Sequence, residues 1–65
     1  MHHFDIETGQ SVTSGSWGYR LYYCGTDYSV YEDWGAHYGY GDEDEAHLAA
    51  CRLLDREYGK GNWTF

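Results

Sequence analysis

Hydrophobic and polar side chains alternate along the first half of the chain, which is typical of half-buried β-strands. The segment His3 to Glu7 shows this alternation, and Thr8 to Gln10 after it predicts a turn. The pattern is clearest from Ser16 to Cys24, where aromatic and aliphatic side chains occupy every second position. A short hairpin turn at Gly25 to Asp27 then leads to a further predicted strand from Tyr28 to Asp33.

A helical spacing replaces the alternation after Asp42, and it predicts one α-helix over residues 43–58. Asp42 is a suitable N-cap, and Glu45 lies three residues later, as in a capping box. Gly59 is a suitable residue for ending the helix. The apolar stripe consists of Ala46, Ala49, Ala50, Leu53 and Leu54. Leu48 falls on the polar side of this helix, where no core contact is expected.

The order of these elements predicts one α+β domain over residues 1–65. We expect a small antiparallel sheet of three or four strands, with the helix packed on one face. The segment Trp34 to Gly41 contains three glycines in eight residues and predicts a loop. The segment Asn62 to Phe65 is expected to return as an edge strand. One short helix covers only one sheet face, so the other face should remain open, with tyrosines exposed on it.

Charge narrows the classes of function. Eleven Asp and Glu oppose four Lys and Arg, giving a net charge of −7 on 65 residues. Such a chain repels phosphate and anionic lipid, so we expect neither direct nucleic-acid binding nor membrane binding, but attraction to basic proteins. There is no apolar run of membrane-spanning length and no signal-peptide pattern, which predicts a cytoplasmic protein. No catalytic motif, phosphate loop or dinucleotide fingerprint occurs, so we expect neither enzymatic activity nor a cofactor.

The acidic residues form the most informative set. Helix capping accounts for only part of them, because several lie in the predicted strands and in the turn. Carboxylates two strand residues apart, or three or four helix residues apart, are spaced on a scale similar to DNA phosphates. Exposed tyrosine and tryptophan are favoured anchors at protein interfaces. The predicted partner-binding residues are Asp5, Glu7, Asp27, Tyr28, Glu32, Asp33, Trp34, Asp42, Glu43, Asp44 and Glu45.

A short, acidic, aromatic-rich and proline-free chain of this kind resembles the small phage-encoded anti-CRISPR proteins, in particular the acidic DNA mimics directed at type I (I-C) surveillance complexes. The resemblance covers the whole chain through its size, charge and pattern, and it rests on no sequence motif. It implies a stoichiometric inhibitor in the cytoplasm of an infected or lysogenic bacterial host. Its target would be the basic surface that recognises the protospacer-adjacent motif (PAM) or holds duplex DNA, and the inhibitor would be a monomer or weak homodimer.

Two other hypotheses remain open at this stage. Cys24, His37, His47 and Cys51 provide the residue types of a zinc site or a redox sensor, although Cys24 and His37 lack the tight spacing of a ligand pair. Alternatively, the chain is an adaptor that dimerises or docks through its aromatic face. The exposed position expected for Leu48 and the surplus of tyrosines favour this third hypothesis.

Overall fold

Four strands and one helix form the fold in a computed structural model that describes residues 1–65. They are β1 (His2–Gln10), β2 (Trp17–Gly25), β3 (Glu32–Tyr40), α1 (Glu43–Tyr58) and β4 (Trp63–Thr64). The strands lie side by side in the order β3-β2-β1-β4. The first three pair antiparallel, and β4 pairs parallel to β1, which makes the sheet mixed. The α+β class is confirmed, and so is the helix over residues 43–58.

The core lies between the sheet and the helix. Phe4, Tyr19 and Leu21 from the sheet pack with Ala50 and Leu54 from α1, and each of the five is at most 5% exposed. Tyr19 and Leu21 thus share one face of β2, as the alternation along this strand predicted. Burial of large aromatic side chains compensates for the short chain, because each removes on the order of 150–250 Å² of surface from water.

Local hydrogen bonds define both ends of α1. The Asp42 carboxylate accepts a hydrogen bond from the Glu45 backbone N–H at 2.7 Å. The Glu45 carboxylate reaches back to the N–H of Gly41 at 3.1 Å, one residue earlier than in a standard capping box. At the other end, Gly59 has a φ of 88° and donates to the Asp55 carbonyl at 2.9 Å. Both predicted caps are thus confirmed.

The third strand lies later in the chain than predicted. Residues 26–31 form an exposed loop, where Tyr28 has a φ of 61° and Asp27 accepts from the N–H of Ser29 at 3.2 Å. The prediction of a loop at 34–41 was wrong. Positive φ angles at Gly35 and Gly39, and irregular register between β2 and β3, let this glycine-rich segment follow the neighbouring strand.

The turn predicted at Thr8 to Gln10 was also wrong. These residues continue β1 and pair with the start of β2, where Gly9 lies opposite Gly18. The chain reverses instead at residues 11–16, where the N–H of Ser11 donates to the Ser16 carbonyl at 2.8 Å. Glycine weakens a strand interior but does not prevent pairing, and the polar and glycine residues needed for reversal lie in the segment that follows.

The predicted edge strand is confirmed at Trp63–Thr64, but its direction differs from the expected antiparallel pairing. The 16-residue helix carries the chain about 24 Å along the sheet, at 1.5 Å per residue. This returns it to the start of β1, where His2 pairs with Trp63 in the parallel sense. The indole N–H of Trp63 donates to the Asp55 carboxylate at 2.9 Å, which ties the edge to the helix.

Candidate partner-binding face

The sheet face opposite α1 is covered by no helix, and we call it the open face. Since Phe4 and Leu21 point toward the helix, the alternate residues point away from it, and the register places them in pairs across β1 and β2. The β1 and β2 residues of the open face are His3, Asp5, Glu7, Gly9, Gly18, Arg20, Tyr22 and Cys24. Asp33 and Tyr38 of β3 belong to it through their contacts with Arg20 and Gly18.

The loop at 26–31 lies over one end of the open face. The Tyr31 ring stacks on Tyr22 at a centroid distance of 4.8 Å and an angle of 12°, and the Tyr28 ring stacks on His3 at 4.2 Å. Tyr31 and Tyr28 nevertheless remain 62% and 70% exposed. Desolvation, followed by the nearby Asp5 carboxylate, raises the pKa of Tyr31. The loop thus presents two ordered aromatic rings beside a carboxylate.

Carboxylates outnumber basic side chains on the open face. Arg20 contacts both carboxylate oxygens of Asp33, at 2.7 and 3.0 Å. A hydrogen bond from the N–H of Gly35 at 2.8 Å, and then Arg20, lower the pKa of Asp33. Asp5 and Glu7 are exposed and form no salt bridge. Three carboxylates and one guanidinium leave the open face with a net charge of −2 when His3 is neutral.

Glu32 and Trp34 do not belong to the open face. Glu32 lies opposite Tyr23, on the helix side of the sheet. The Trp34 ring stacks on Tyr23 at 5.4 Å and meets Phe4 edge-on at 5.2 Å. Its indole N–H donates to Glu32 at 3.4 Å. Trp34 therefore covers the margin of the core, and its exposed fraction of 39% leaves only part of the ring for a partner.

The four acidic residues at the helix start lie on the helix side as well. Three of them make hydrogen bonds within the protein: Asp42 and Glu45 in capping, and Glu43 as acceptor from the Thr8 hydroxyl at 2.9 Å. Asp44 accepts no hydrogen bond from the protein. All four side chains are exposed and lie in the positive first turn of the helix.

The predicted binding residues therefore fall into separate groups. The structure brings Asp5, Glu7, Tyr28 and Asp33 together on the open face, with Asp27 in the loop that folds over its end. Glu32 with Trp34, and Asp42 with its three successors, form two other surfaces. The eleven predicted partner-binding residues are thus divided between the two sides of the sheet.

One feature of the open face was missed in the sequence. Gly9 and Gly18 lie opposite each other, and beside them is a depression of about 110 Å³ that is also bordered by Glu7, Arg20 and Tyr38. A glycine inside a strand pattern often marks a close approach of another group, and two such glycines were visible in the sequence. Their pairing required the register, which the sequence did not reveal.

The cysteine and histidine residues named in the alternative zinc or redox hypothesis do not come together as a ligand set. No group of three potential His, Cys, Asp or Glu ligands lies close enough to hold an ion. Cys51 contacts only His47, at 3.7 Å, and both cysteines are free thiols. Desolvation and then Asp55 raise the pKa of Cys51, which opposes the thiolate character of a redox sensor.

These observations define a small α+β domain with an acidic, aromatic and uncovered sheet face. No protein-family model, curated protein or solved structure was found to match the chain. Its single helix is too short and too polar to cross a bilayer.

Proposed function

We propose that this protein is a stoichiometric inhibitor that acts as an acidic DNA mimic on a type I CRISPR-Cas surveillance complex, with subtype I-C as the first target to test. It would bind the basic surface that recognises the PAM and holds duplex DNA, in the cytoplasm of a bacterial host infected by phage. The observation that carries the proposal is the open face, which combines net negative charge with exposed tyrosines and is covered by no helix.

The spacing of Asp5 and Glu7 supports imitation of a phosphate row. Asp5 and Glu7 are two residues apart on β1, or about 6.6 Å along the strand. Phosphates of one DNA strand advance about 3.4 Å per nucleotide along the axis, so this spacing corresponds to about two nucleotides. The molecule is 36 Å long, comparable to about ten such steps. Asp27 and the acidic helix start lie near opposite ends of the sheet, because Tyr40 pairs with Trp17 at the start of β2.

Exposed rings supply the second part of the binding surface. Tyr28, Tyr31 and Tyr38 are each more than half exposed and border the carboxylates of the open face. Such rings bury a large area at small entropic cost, and Tyr is enriched among residues that dominate binding energy. Charge would then determine the association rate and partner choice, while the rings would contribute to the lifetime of the complex.

The test uses a purified I-C surveillance complex and a fluorescent duplex that contains its target and PAM. Increasing amounts of the protein should abolish DNA binding at about one inhibitor per complex, and the effect should weaken at high salt. Reversing the charge in D5K and E7K together should raise the inhibitor concentration required by at least about tenfold. The E57K variant is the control, because Glu57 is an exposed helix residue away from the open face.

Inhibition by the D5K/E7K variant at wild-type concentrations would refute the role of the open face. DNA binding that persists with excess wild-type protein would refute the I-C target. Both strand positions are exposed, so we expect the lysine variants to fold. Circular dichroism of each variant checks this.

A further inference from the structure

The depression on the open face exists because two opposed positions lack side chains. Gly9 and Gly18 pair across β1 and β2, and the Tyr38 ring lies over Gly18, where a Cβ atom would be 2.7 Å from the ring carbon Cγ. A Cβ atom at Gly9 would meet nothing within 4 Å. One half of the glycine pair is therefore occupied by a ring of the protein itself, and the other half is open. We call the depression between Gly9, Gly18 and Tyr38 the glycine slot.

The size of the glycine slot limits what can enter it. Its volume of about 110 Å³ equals roughly four water molecules at about 30 Å³ each. Sites for drug-sized molecules and cofactors start at about 300 Å³, so the slot is too small for a nucleotide or a cofactor. It has the dimensions of one side-chain end and is bordered on one side by the Tyr38 side chain, which is 56% exposed.

The charge beside the glycine slot favours a cation. Glu7 borders the slot and is exposed, and its carboxylate takes part in no hydrogen bond or salt bridge of the protein. Arg20 also borders it, but its guanidinium is held by Asp33 at 2.7 Å. The slot therefore offers one unpaired carboxylate next to an aromatic ring, which is the combination that binds a guanidinium group.

We propose that the glycine slot binds a single arginine side chain of a basic partner, with its guanidinium plane against Tyr38 and its N–H groups directed to Glu7. This inference rests on the proposed function, since it assigns one contact within the surface that meets the basic partner. Arginine fits better than lysine because a planar guanidinium both stacks on a ring and pairs with a carboxylate in a fork, whereas an ammonium group is a compact, strongly hydrated charge.

The test is nuclear magnetic resonance of the full ¹⁵N-labelled chain at low salt, titrated with the capped tripeptides Gly-Arg-Gly or Gly-Lys-Gly. The arginine peptide should shift the backbone amides of Gly9 and Gly18 in a saturable manner, and the lysine peptide should produce smaller shifts there. Equal shifts with both peptides, or shifts spread over all acidic residues, would overturn the assignment to arginine.

Variants give the test a structural control. G9V should fill the slot without strain, because the position is open and valine is favoured in strands, and it should abolish the local shifts. E7Q should weaken arginine-peptide binding by about two- to fivefold, as expected for one exposed ion pair, whereas E57Q should leave it unchanged. Wild-type shifts in G9V would refute the slot.

The two proposals fail separately. If the arginine peptide binds the slot but the protein does not inhibit the I-C complex, the proposal for the slot stands and the I-C complex is refuted as the target. If G9V instead inhibits as strongly as the wild type, the partner does not use the slot, and the proposed inhibitory function still stands.

Discussion

The paired glycines of β1 and β2 provide a matched test of the packing, because the same substitution should have opposite effects at the two positions. In G18A the new methyl group would press against the His37 carbonyl oxygen and the Tyr38 ring. A carbonyl in a paired strand cannot move without disturbing the ladder between β2 and β3. In G9A the methyl group enters open space, and the backbone there has no positive φ.

The expected magnitudes follow from these contacts. Overpacking of this kind typically costs about 1–3 kcal/mol, which we expect as the loss of unfolding free energy in G18A. Replacing a glycine by alanine at an unstrained position typically stabilises by about 0.4–1 kcal/mol through the unfolded chain. The two variants should thus differ by about 1.4–4 kcal/mol. For a domain of this size each kcal/mol changes Tm by about 4–8 °C, so G18A should melt at least about 4 °C below the wild type.

The assay is urea unfolding followed by tryptophan fluorescence, together with thermal unfolding followed by circular dichroism. Unchanged m-values would show that the variants alter stability rather than the extent of unfolding. If both variants changed the unfolding free energy equally and in the same direction, the change in backbone entropy would dominate. The close approach of Tyr38 to Gly18 would then make no measurable contribution to stability. That result would refute the packing argument and also the described shape of the glycine slot.

Three further predictions concern the core, the helix cap and the acid range. L54A should lower the unfolding free energy by about 2–5 kcal/mol in urea unfolding, whereas L48A on the exposed side of the helix should change it by less than about 0.5 kcal/mol. D42A should cost about 0.5–2 kcal/mol and reduce the helical circular dichroism signal at elevated temperature. Because the folded state lowers the pKa of Asp33, its stabilisation is present above its ordinary pKa of 3.8 and is lost as pH falls through the folded value. Urea unfolding between about pH 6 and about pH 3 should therefore show a smaller loss of stability in D33N than in the wild type; an equal loss would contradict the contribution of the Arg20 and Gly35 contacts.

The helix and the central strand could be predicted because their signals are local. Asp42, Glu45 and Gly59 act within a few residues of chain, and the alternation through β2 reports directly which side chains share a face. The two-sided character of the sheet followed from the same reasoning, since one helix cannot cover both faces. These features required no knowledge of which strands are neighbours.

The third strand and the assembly of the site could not be predicted in this way. Gly35 and Gly39 indicated a loop, yet strand pairing with β2 stabilises this segment as an edge with irregular register. Glu32 and Trp34 were assigned to the binding surface because the register that turns them toward the helix side was unknown. A slip of one residue moves every side chain of a strand to the other face, so a face cannot be assigned without the register.

The parallel pairing of β4 with β1 places the two ends of the described chain on adjacent strands. His2 lies opposite Trp63, and neighbouring strands are about 4.8 Å apart. Because the two strands run parallel, a linker that joins the ends into a circle must run back past β4 before it enters β1. New ends could then be opened near Val12, which is fully exposed in the turn between β1 and β2. His2, at the start of β1, lies about 23 Å along the strand from Gly9, seven residues away, and Trp63 pairs with His2. A fluorophore or an affinity tag attached at either end would therefore start at the end of β1 that is farther from the glycine slot.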